Sequence, residues 1–333
     1  MQFLEVKMIP SFEYVVENSG ISAEEARQLS ELRHEDLVRL FELTNTVRYH
    51  FKGNGVNICS IVNAKSGSCP EDCRFCAQSA HYTTDVKGYP LLSADSIVDR
   101  AKHCQEWGTR GFSIVTSGYG IDNQTDLKEV ARAIKGIAEQ TPLYRCASLG
   151  ILTEQELMYL KNAGLTKYHH NLETSKSFFS SVCSTHPYED DIEAVRNARH
   201  AGLEVCCGGV FGVGESWDQR IELALTLKEL GVDSVPINFL NPIKGTPLGD
   251  VHLLTPIECL KIISIFRLVL PDKDIVVCGG REVNLRDMQS MIFYAGANGM
   301  MVGGYLTTQG RSVDVDLDMI RDLGLSVTKP IAV

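Results

Sequence analysis

The chain has 333 residues, of which 44% are hydrophobic and 22% charged, a composition typical of a globular protein with one large domain or two ordinary ones. Its formal charge of -10, from 32 Lys and Arg against 42 Asp and Glu, disfavours binding to polyanions such as DNA or tRNA. Residues 1–10 lack the basic and apolar regions of a secretion signal, and the most apolar later run, Cys259–Leu270, contains Lys261 and Arg267. We therefore expect a cytoplasmic protein that binds neither nucleic acid nor membranes.

Eleven cysteines are an odd number for a chain of this size. An odd count in a cytoplasmic chain favours metal ligation and free buried thiols over a disulfide framework. We expect a reducing compartment and a protein that is best purified anaerobically.

Residues 1–52 are predicted to be helical. Ser22 to Glu25 has the pattern of a capping box, and a second amphipathic stretch covers Glu35–His50. We interpret this segment as an N-terminal helical extension.

From Val56 onward, short β-branched runs alternate with longer amphipathic segments, a pattern typical of βα units and a parallel sheet. Glycines are predicted to end helices in the left-handed conformation at Gly164, Gly202, Gly231 and Gly299. The predicted strands are Val56–Val62, Gly111–Val115, Leu143–Ser148, Lys167–Leu172, Leu203–Val210, Ser234–Phe239, Asp274–Cys278 and Gly299–Val302. Eight such units predict an α/β fold, a (βα)8 TIM-type barrel over residues 53–333, with its chemistry at the C-terminal ends of the strands.

The loop after the first predicted strand carries Cys69, Cys73 and Cys76. Three thiolates at this spacing can ligate three irons of one [4Fe-4S] cluster, which leaves the fourth iron open. An open iron can chelate the amino and carboxylate groups of S-adenosylmethionine, so the spacing indicates reductive cleavage of that molecule to a carbon radical. The alternative is a structural zinc site, but zinc usually takes four ligands in paired units and no second pair follows.

Several further motifs accompany the cysteine loop. The chain has Val56–Ser60 before it, and later His169–Ser175, Val205–Glu215, Val235–Leu240 with Lys244–Leu248, Gly280–Glu282 and Leu306–Thr308. With these motifs, the sequence from about residue 20 to its end resembles the biotin synthase family of radical S-adenosylmethionine enzymes.

The resemblance implies insertion of one sulfur atom between two unactivated carbons of dethiobiotin to form biotin. The sulfur would come from a second, sacrificed iron–sulfur cluster in the barrel. The resemblance also implies a flavodoxin or ferredoxin as electron donor, iron–sulfur assembly proteins as partners, and a homodimer.

The resemblance assigns roles to individual residues. By the family pattern, Asn171 and Glu173 hold the adenosyl ribose and the ureido ring, and Asn238 binds a polar edge nearby. Thr307 and Thr308 would hold the substrate carboxylate. Phe75 matches the aromatic position near adenine. Ordinary capping of strand ends is the alternative for these polar side chains, and Glu173 stands where family members commonly have Asp.

The sequence departs from the family pattern at the second cluster, whose usual ligands are three cysteines and an arginine. Cys146 and Cys206 match two of these positions, whereas Ser113 and Val276 occupy the other two. Because side chains alternate along a strand, Cys278 shares the face of Val276, and Cys59 lies on the first strand. We hypothesise a remodelled auxiliary cluster, closer to [4Fe-4S] than to [2Fe-2S], held by Cys59, Cys146, Cys206 and Cys278.

The remaining cysteines are weaker candidates. Cys104 and Cys259 fall in helical patterns and are expected to be buried, and Cys207 should face away from Cys206. Cys59 and Cys278 could also be small buried hydrophobic residues. Two other functions stay open: a different radical enzyme on the same barrel, such as a hydrogenase-maturase-like or C–C lyase relative, and an electron-transfer or structural metal-binding protein.

Overall fold

A computed structural model describes residues 9–121 and 123–328 of the chain. Its centre is a parallel barrel, as the alternating pattern predicts. The strands are β1 (Gly55–Lys65), β2 (Gly111–Thr116), β3 (Tyr144–Ser148), β4 (Lys167–His169), β5 (Glu204–Cys206), β6 (Gly209–Phe211), β7 (Ser234–Phe239), β8 (Asp274–Val277), β9 (Gly299–Met301) and β10 (Ser326–Val327). β1 pairs in parallel with both β2 and β9, so the sheet closes on itself.

The fifth barrel position differs from the prediction of one strand over Leu203–Val210. The chain instead forms β5, which pairs with β4 and β7, and β6, which pairs with β7 and forms a bridge to Glu173. The break falls at Gly208, where a Cβ would lie 2.0 Å from the carbonyl oxygen of Pro236. This close approach of two backbones interrupts the regular ladder, a use of glycine in strands that sequence patterns do not reveal.

Helices surround the barrel. They are α1 (Phe12–Glu17), α2 (Ala23–Ser30), α3 (Glu35–Lys52), α4 (Ala94–Glu106), α5 (Gln124–Gln140), α6 (Glu154–Asn162), α7 (Lys176–Phe179), α8 (Tyr188–His200), α9 (Trp217–Leu230), α10 (Pro256–Val269), α11 (Arg281–Leu285), α12 (Met291–Tyr294) and α13 (Val313–Asp322), with a 3-10 turn at Arg286–Met288. The capping box predicted at Ser22 and Glu25 begins α2. Positions 1–8 of the predicted extension, like positions 329–333 of the barrel segment, lie outside the described residues.

The glycine positions test the predicted helix ends. Gly164, Gly202 and Gly231 have positive φ angles, as predicted, but Gly299 does not. Gly299 lies within β9, and a Cβ there would approach the carbonyl oxygen of Asn57 to 2.7 Å. The left-handed residue is Gly296, with φ at 110°. The glycine at position 299 is thus needed for close strand packing rather than for the helix end.

The apolar run at Cys259–Leu270 forms α10 and is buried on every side. α2, α3 and α9 all pack against it, which explains why its residues from Cys259 to Val269 are all buried. Across positions 9–121 and 123–328, no helix is both long and apolar enough to span a membrane.

Arg267 is fully buried at the end of α10 and fastens that helix to the barrel. Its guanidinium donates to the carbonyl oxygens of Gly296 at 2.8 Å, Pro271 at 2.9 Å and Lys273 at 2.7 Å, and to Asn298 Oδ1 at 2.8 Å. Burial lowers its pKa to about 9.

Replacing Arg267 with methionine is expected to reduce the free energy of unfolding by about 3 kcal/mol or more, because each buried acceptor left without a donor costs about 1–3 kcal/mol. Urea denaturation measures this change. Arg39→Met, at an exposed position of α3, is the matched control and should shift stability by less than about 0.5 kcal/mol. Equal losses in the two variants would contradict the role of Arg267.

Candidate active site

The interior of the barrel holds a cavity of about 610 Å³. It extends from Asn57 and Asp274 at the base of the barrel to Phe75 and Thr308 at the C-terminal ends of the strands. Because the lining side chains come from every barrel strand, residues far apart in sequence face one cavity.

The loop with Cys69, Cys73 and Cys76 follows β1 and closes on itself. The amide of Cys69 donates to the carbonyl oxygen of Gln78 at 3.0 Å, and the amide of Cys76 donates to that of Cys73 at 2.9 Å. Gly67 and Ser68 turn the chain with positive φ angles just before Cys69. The three cysteines are half-buried, and Cys76 lines the cavity. Three thiols in one short loop fit an iron cluster with three protein ligands.

A second segment, Ser181–His186 after α7, holds this loop in place. The amide of Ser184 donates to Asp72 Oδ1 at 2.8 Å, and the amide of Arg74 donates to the carbonyl oxygen of Val182 at 2.9 Å. Asp72 accepts several hydrogen bonds from this segment, which hold its pKa well below the usual range. The cysteine loop is therefore fixed by contacts across the mouth as well as by its own backbone.

Four further cysteines face the same cavity: Cys59, Cys146, Cys206 and Cys278. Gly111 lies beside two of them, since a Cβ on it would come 3.9 Å from Cys59 Cβ and 4.0 Å from Cys146 Sγ. Ser113 Oγ is buried with no hydrogen-bond partner among the described residues. Gly111, which has no side chain, leaves space beside these thiols, and the unpartnered hydroxyl of Ser113 adds a polar group there.

Burial raises the pKa of Cys146 to about 12 and also raises that of Cys206. A hydrogen bond with Cys59, followed by burial, raises the pKa of Cys278 well above its usual value. These thiols therefore stay protonated at neutral pH until a metal displaces the protons.

Polar residues stand at the strand ends above these thiols. Asn171 accepts from the amide of Gly208 at 3.1 Å and donates to Glu173 at 3.3 Å. Asn238 donates to the carbonyl oxygen of Gly209 at 3.2 Å and accepts from the amide of Gly279 at 3.0 Å. Both asparagines cap backbone groups, and each amide nitrogen has a second hydrogen that can reach a ligand.

Glu173 is held in the left-handed conformation, with φ at 61°. Burial raises its pKa to about 7, and the nearby carboxylate of Asp191 adds to the effect. Its side chain lines the cavity, so a hydroxyl or N–H donor of a bound molecule can satisfy it.

Thr307 and Thr308 lie in the loop after β9 and line the cavity, as Phe75 does. Asn63 at the end of β1 donates to the carbonyl oxygen of Leu306 at 3.1 Å and to Gln78 Oε1 at 3.1 Å. One side chain thus joins the threonine loop to the cysteine loop.

A half-buried cation lies deeper in the barrel. Lys167 Nζ is 3.1 Å from Glu204 Oε2 and 3.4 Å from Ser234 Oγ. Its charge lowers the pKa of Cys146 and Cys206, against the larger effect of burial. The ammonium group therefore provides positive potential at two of the four barrel thiols.

Sequence reasoning missed the residues that brace the cysteine loop. Glu71 and Asp72 stand between the first two cysteines of the motif, but their partners, Cys183 to His186, lie about 112 positions later. A hydrogen bond with Cys183 raises the pKa of Cys73, and the same bond lowers that of Cys183 to about 5. The spacing of Cys183 and His186 after β4 was the available signal.

Comparison with known proteins shows the family of the chain. Residues 65–227 match the Radical SAM superfamily, and residues 236–326 match the Biotin and Thiamin Synthesis associated domain. Biotin synthase of Geobacter metallireducens is 53% identical over 94% of this chain and 95% of its own length. The chain belongs to the biotin synthase family. Biotin synthase of Pelobacter propionicus is 52% identical over the same shares.

As a member of the biotin synthase family, the chain is an enzyme of the sulfurtransferase class. Its superfamily implies a [4Fe-4S] cluster and S-adenosylmethionine as cofactors. Methylornithine synthase (PylB) has the same fold, with a TM-score of 0.84 at 20% identity, covering 96% of this chain and 97% of its own. The hydrogenase maturase HydG from Carboxydothermus hydrogenoformans aligns with a TM-score of 0.80 at 19% identity, covering 96% and 78%. These two likenesses concern the fold alone.

Proposed function

We propose that the chain inserts one sulfur atom into dethiobiotin to form biotin, and that the sulfur comes from an auxiliary iron–sulfur cluster held inside the barrel. The observation that carries the proposal is the arrangement of the cavity: the three-cysteine loop opens onto the same cavity as four more cysteines. A sulfur donor and a radical generator must both reach one substrate, and a single cavity meets that requirement.

Cys69, Cys73 and Cys76 would hold the [4Fe-4S] cluster that, with S-adenosylmethionine, supplies a radical able to take hydrogen from carbon. Asn171 and Glu173 would receive the ribose hydroxyls and the ureido ring, and Asn238 a polar edge. The barrel side chains that line the space between would surround a reactive carbon centre.

The rim residues would orient the substrates from outside. Phe75 packs against an apolar group of Val182, Val213, Leu240 and Leu248, a surface suited to a flat adenine ring. Thr307 and Thr308, with a hydroxyl each, would bind the carboxylate of dethiobiotin.

The test is an anaerobic reaction. The protein is reconstituted with iron and sulfide, supplied with reductant, S-adenosylmethionine and dethiobiotin, and both biotin and 5′-deoxyadenosine are quantified by mass spectrometry. Biotin above the level of a reaction without S-adenosylmethionine supports sulfur insertion. Deoxyadenosine without biotin would support radical chemistry but contradict the proposed substrate or the proposed sulfur source. The absence of both products would contradict the catalytic function.

For the auxiliary cluster, we propose four thiolate ligands: Cys59, Cys146, Cys206 and Cys278. The argument rests on which side chains in the cavity can bind iron. Val276 and Cys278 both line the cavity, and Val276 has no atom that binds iron. Cys59 raises the pKa of Cys278, and both Cys59 and Cys206 raise the pKa of Cys146, so the charges of these thiols influence one another. Four thiolates fit a cubane cluster of [4Fe-4S] type, or a sulfide-bearing relative of it, better than the arginine-ligated [2Fe-2S] site.

Lys167 gives a prediction about that cluster. Lys167→Met is expected to shift the midpoint potential of the auxiliary cluster to more negative values, because adding an electron becomes less favourable without the nearby positive charge. Lys167→Arg keeps the charge and should retain the potential. An anaerobic redox titration followed by electron paramagnetic resonance measures both. Equal potentials in the methionine and arginine variants would contradict the prediction.

We also propose a flavodoxin or ferredoxin as electron donor, loading by iron–sulfur assembly proteins, and a homodimer. These follow from the family alone. Sedimentation of the reconstituted protein measures the oligomeric state, and a single species at 36.8 kDa would overturn the dimer.

A further inference from the structure

A second group of metal-binding side chains lies beside the cysteine loop and outside the cavity functions described above. Glu71, Cys183 and His186 each offer one donor atom, and these three atoms all lie within 4.8 Å of one another. His186 Nδ1 is 2.5 Å from Glu71 Oε2 and 3.6 Å from Cys183 Sγ. Cys183 is buried, and the other two side chains are only about a tenth exposed.

We propose that Glu71, Cys183 and His186 bind one divalent transition-metal ion, with zinc as the best match to the donor set. A thiolate, an imidazole and a carboxylate are all common zinc ligands, and three protein ligands leave a fourth tetrahedral position for water. The same sulfur and nitrogen donors exclude magnesium and calcium, which take oxygen ligands. The site is independent of the nature of the auxiliary cluster.

The orientation of His186 supports a metal site. Its Nε2 atom lies 3.3 Å from Asp191 Oδ2, so Nδ1 points toward Glu71 and Cys183. Asp191 is buried and is itself fixed by His170 Nε2, 2.7 Å from its other oxygen. A buried carboxylate behind a histidine is the usual arrangement around protein-bound metals, where it fixes the ring and strengthens the nitrogen as a ligand.

The position of the site suggests what the ion does. Glu71 belongs to the loop of Cys69 to Cys76, whereas Cys183 and His186 belong to the segment that braces it. A single ion bound to both would cross-link the two segments next to Cys73. In the metal-free arrangement, the hydrogen bond between His186 and Glu71 makes this connection, and an ion would replace it with stronger bonds.

The remaining cysteines provide the control. Once three cysteines serve the loop cluster and four serve the barrel cluster, Cys104, Cys183, Cys207 and Cys259 are left. Cys104 is a buried cysteine of α4 that lies outside the group of Glu71, Cys183 and His186. Cys104→Ala is therefore matched to Cys183→Ala in burial and chemistry but not in surroundings.

The experiment uses protein reconstituted anaerobically with iron and sulfide, and adds Zn²⁺ alone. Zinc and iron per chain are measured together after free ions are removed. We expect one zinc per chain without loss of iron. We expect affinity to fall at least about 10-fold in Cys183→Ala and His186→Asn, and by about 10–100-fold in Asp191→Asn, the range for outer partners of metal ligands. Cys104→Ala should bind zinc as the unchanged protein does.

Co²⁺ serves as a second probe because its absorption reports a bound thiolate. The thiolate-to-cobalt band should appear in the unchanged protein and in Cys104→Ala, and should be missing in Cys183→Ala. The Tm of each variant is compared with and without Zn²⁺, so that differences in stability between the metal-free variants do not affect the result. Equal zinc uptake by Cys183→Ala and the unchanged protein, no uptake at full iron content, or loss of iron as zinc enters would each overturn the proposal.

Discussion

Replacing Cys278 with alanine is expected to abolish biotin formation while deoxyadenosine is still produced. Cys278 directly follows β8 and lines the barrel cavity. If Cys278 is one of four ligands, its loss releases auxiliary iron and leaves the loop cluster in place. Biotin formation should fall by more than about 10–100-fold, which is the effect of replacing a residue that contacts a metal ligand and not the metal itself.

The measurement combines iron per chain, the cluster spectrum and the two products from the same preparation. Cys207→Ala is the control, because Cys207 is as buried as Cys278 but does not line the cavity. That variant should keep its auxiliary iron. Unchanged auxiliary iron in Cys278→Ala would eliminate the four-cysteine cluster and leave Cys278 as a small buried hydrophobic residue.

Side-chain alternation explains why the sequence predicted the barrel cysteines so directly. Cys59, Cys146 and Cys206 lie on strands of known direction, and parallel strands place alternate residues on one face. The structure brings them and Cys278 to one cavity. Helix starts were equally readable, since the predicted capping box at Ser22 and Glu25 begins α2. Both patterns depend only on neighbours in sequence.

Contacts between distant segments were beyond the reach of sequence patterns. The bonds from Asp72 to Ser184 join loops after the first and fourth strands, and no local rule pairs them. The break at Gly208 and the strand position of Gly299 likewise depend on the backbone of a neighbouring strand. A glycine in a sequence indicates either a backbone conformation that other residues avoid or a close approach to another backbone. Which of the two applies depends on the neighbouring strand.

The largest effect on the radical step is expected for Cys76→Ala. Cys76 is the loop cysteine that lines the cavity, and a cluster with only two protein ligands is not retained. The variant should lose about four iron atoms per chain, and both deoxyadenosine and biotin should fall to background, because the loop cluster supplies the radical chemistry.

Cys259→Ala is the control for Cys76→Ala. Cys259 is fully buried in α10, far from the loop in the fold, and its removal should leave both products unchanged. Together, Cys76→Ala and Cys278→Ala separate the two clusters: the first removes both products, and the second removes biotin alone. Biotin formed by Cys76→Ala, or deoxyadenosine lost in Cys278→Ala without any change in the loop cluster, would mean that the seven cysteines are divided between the clusters in another way.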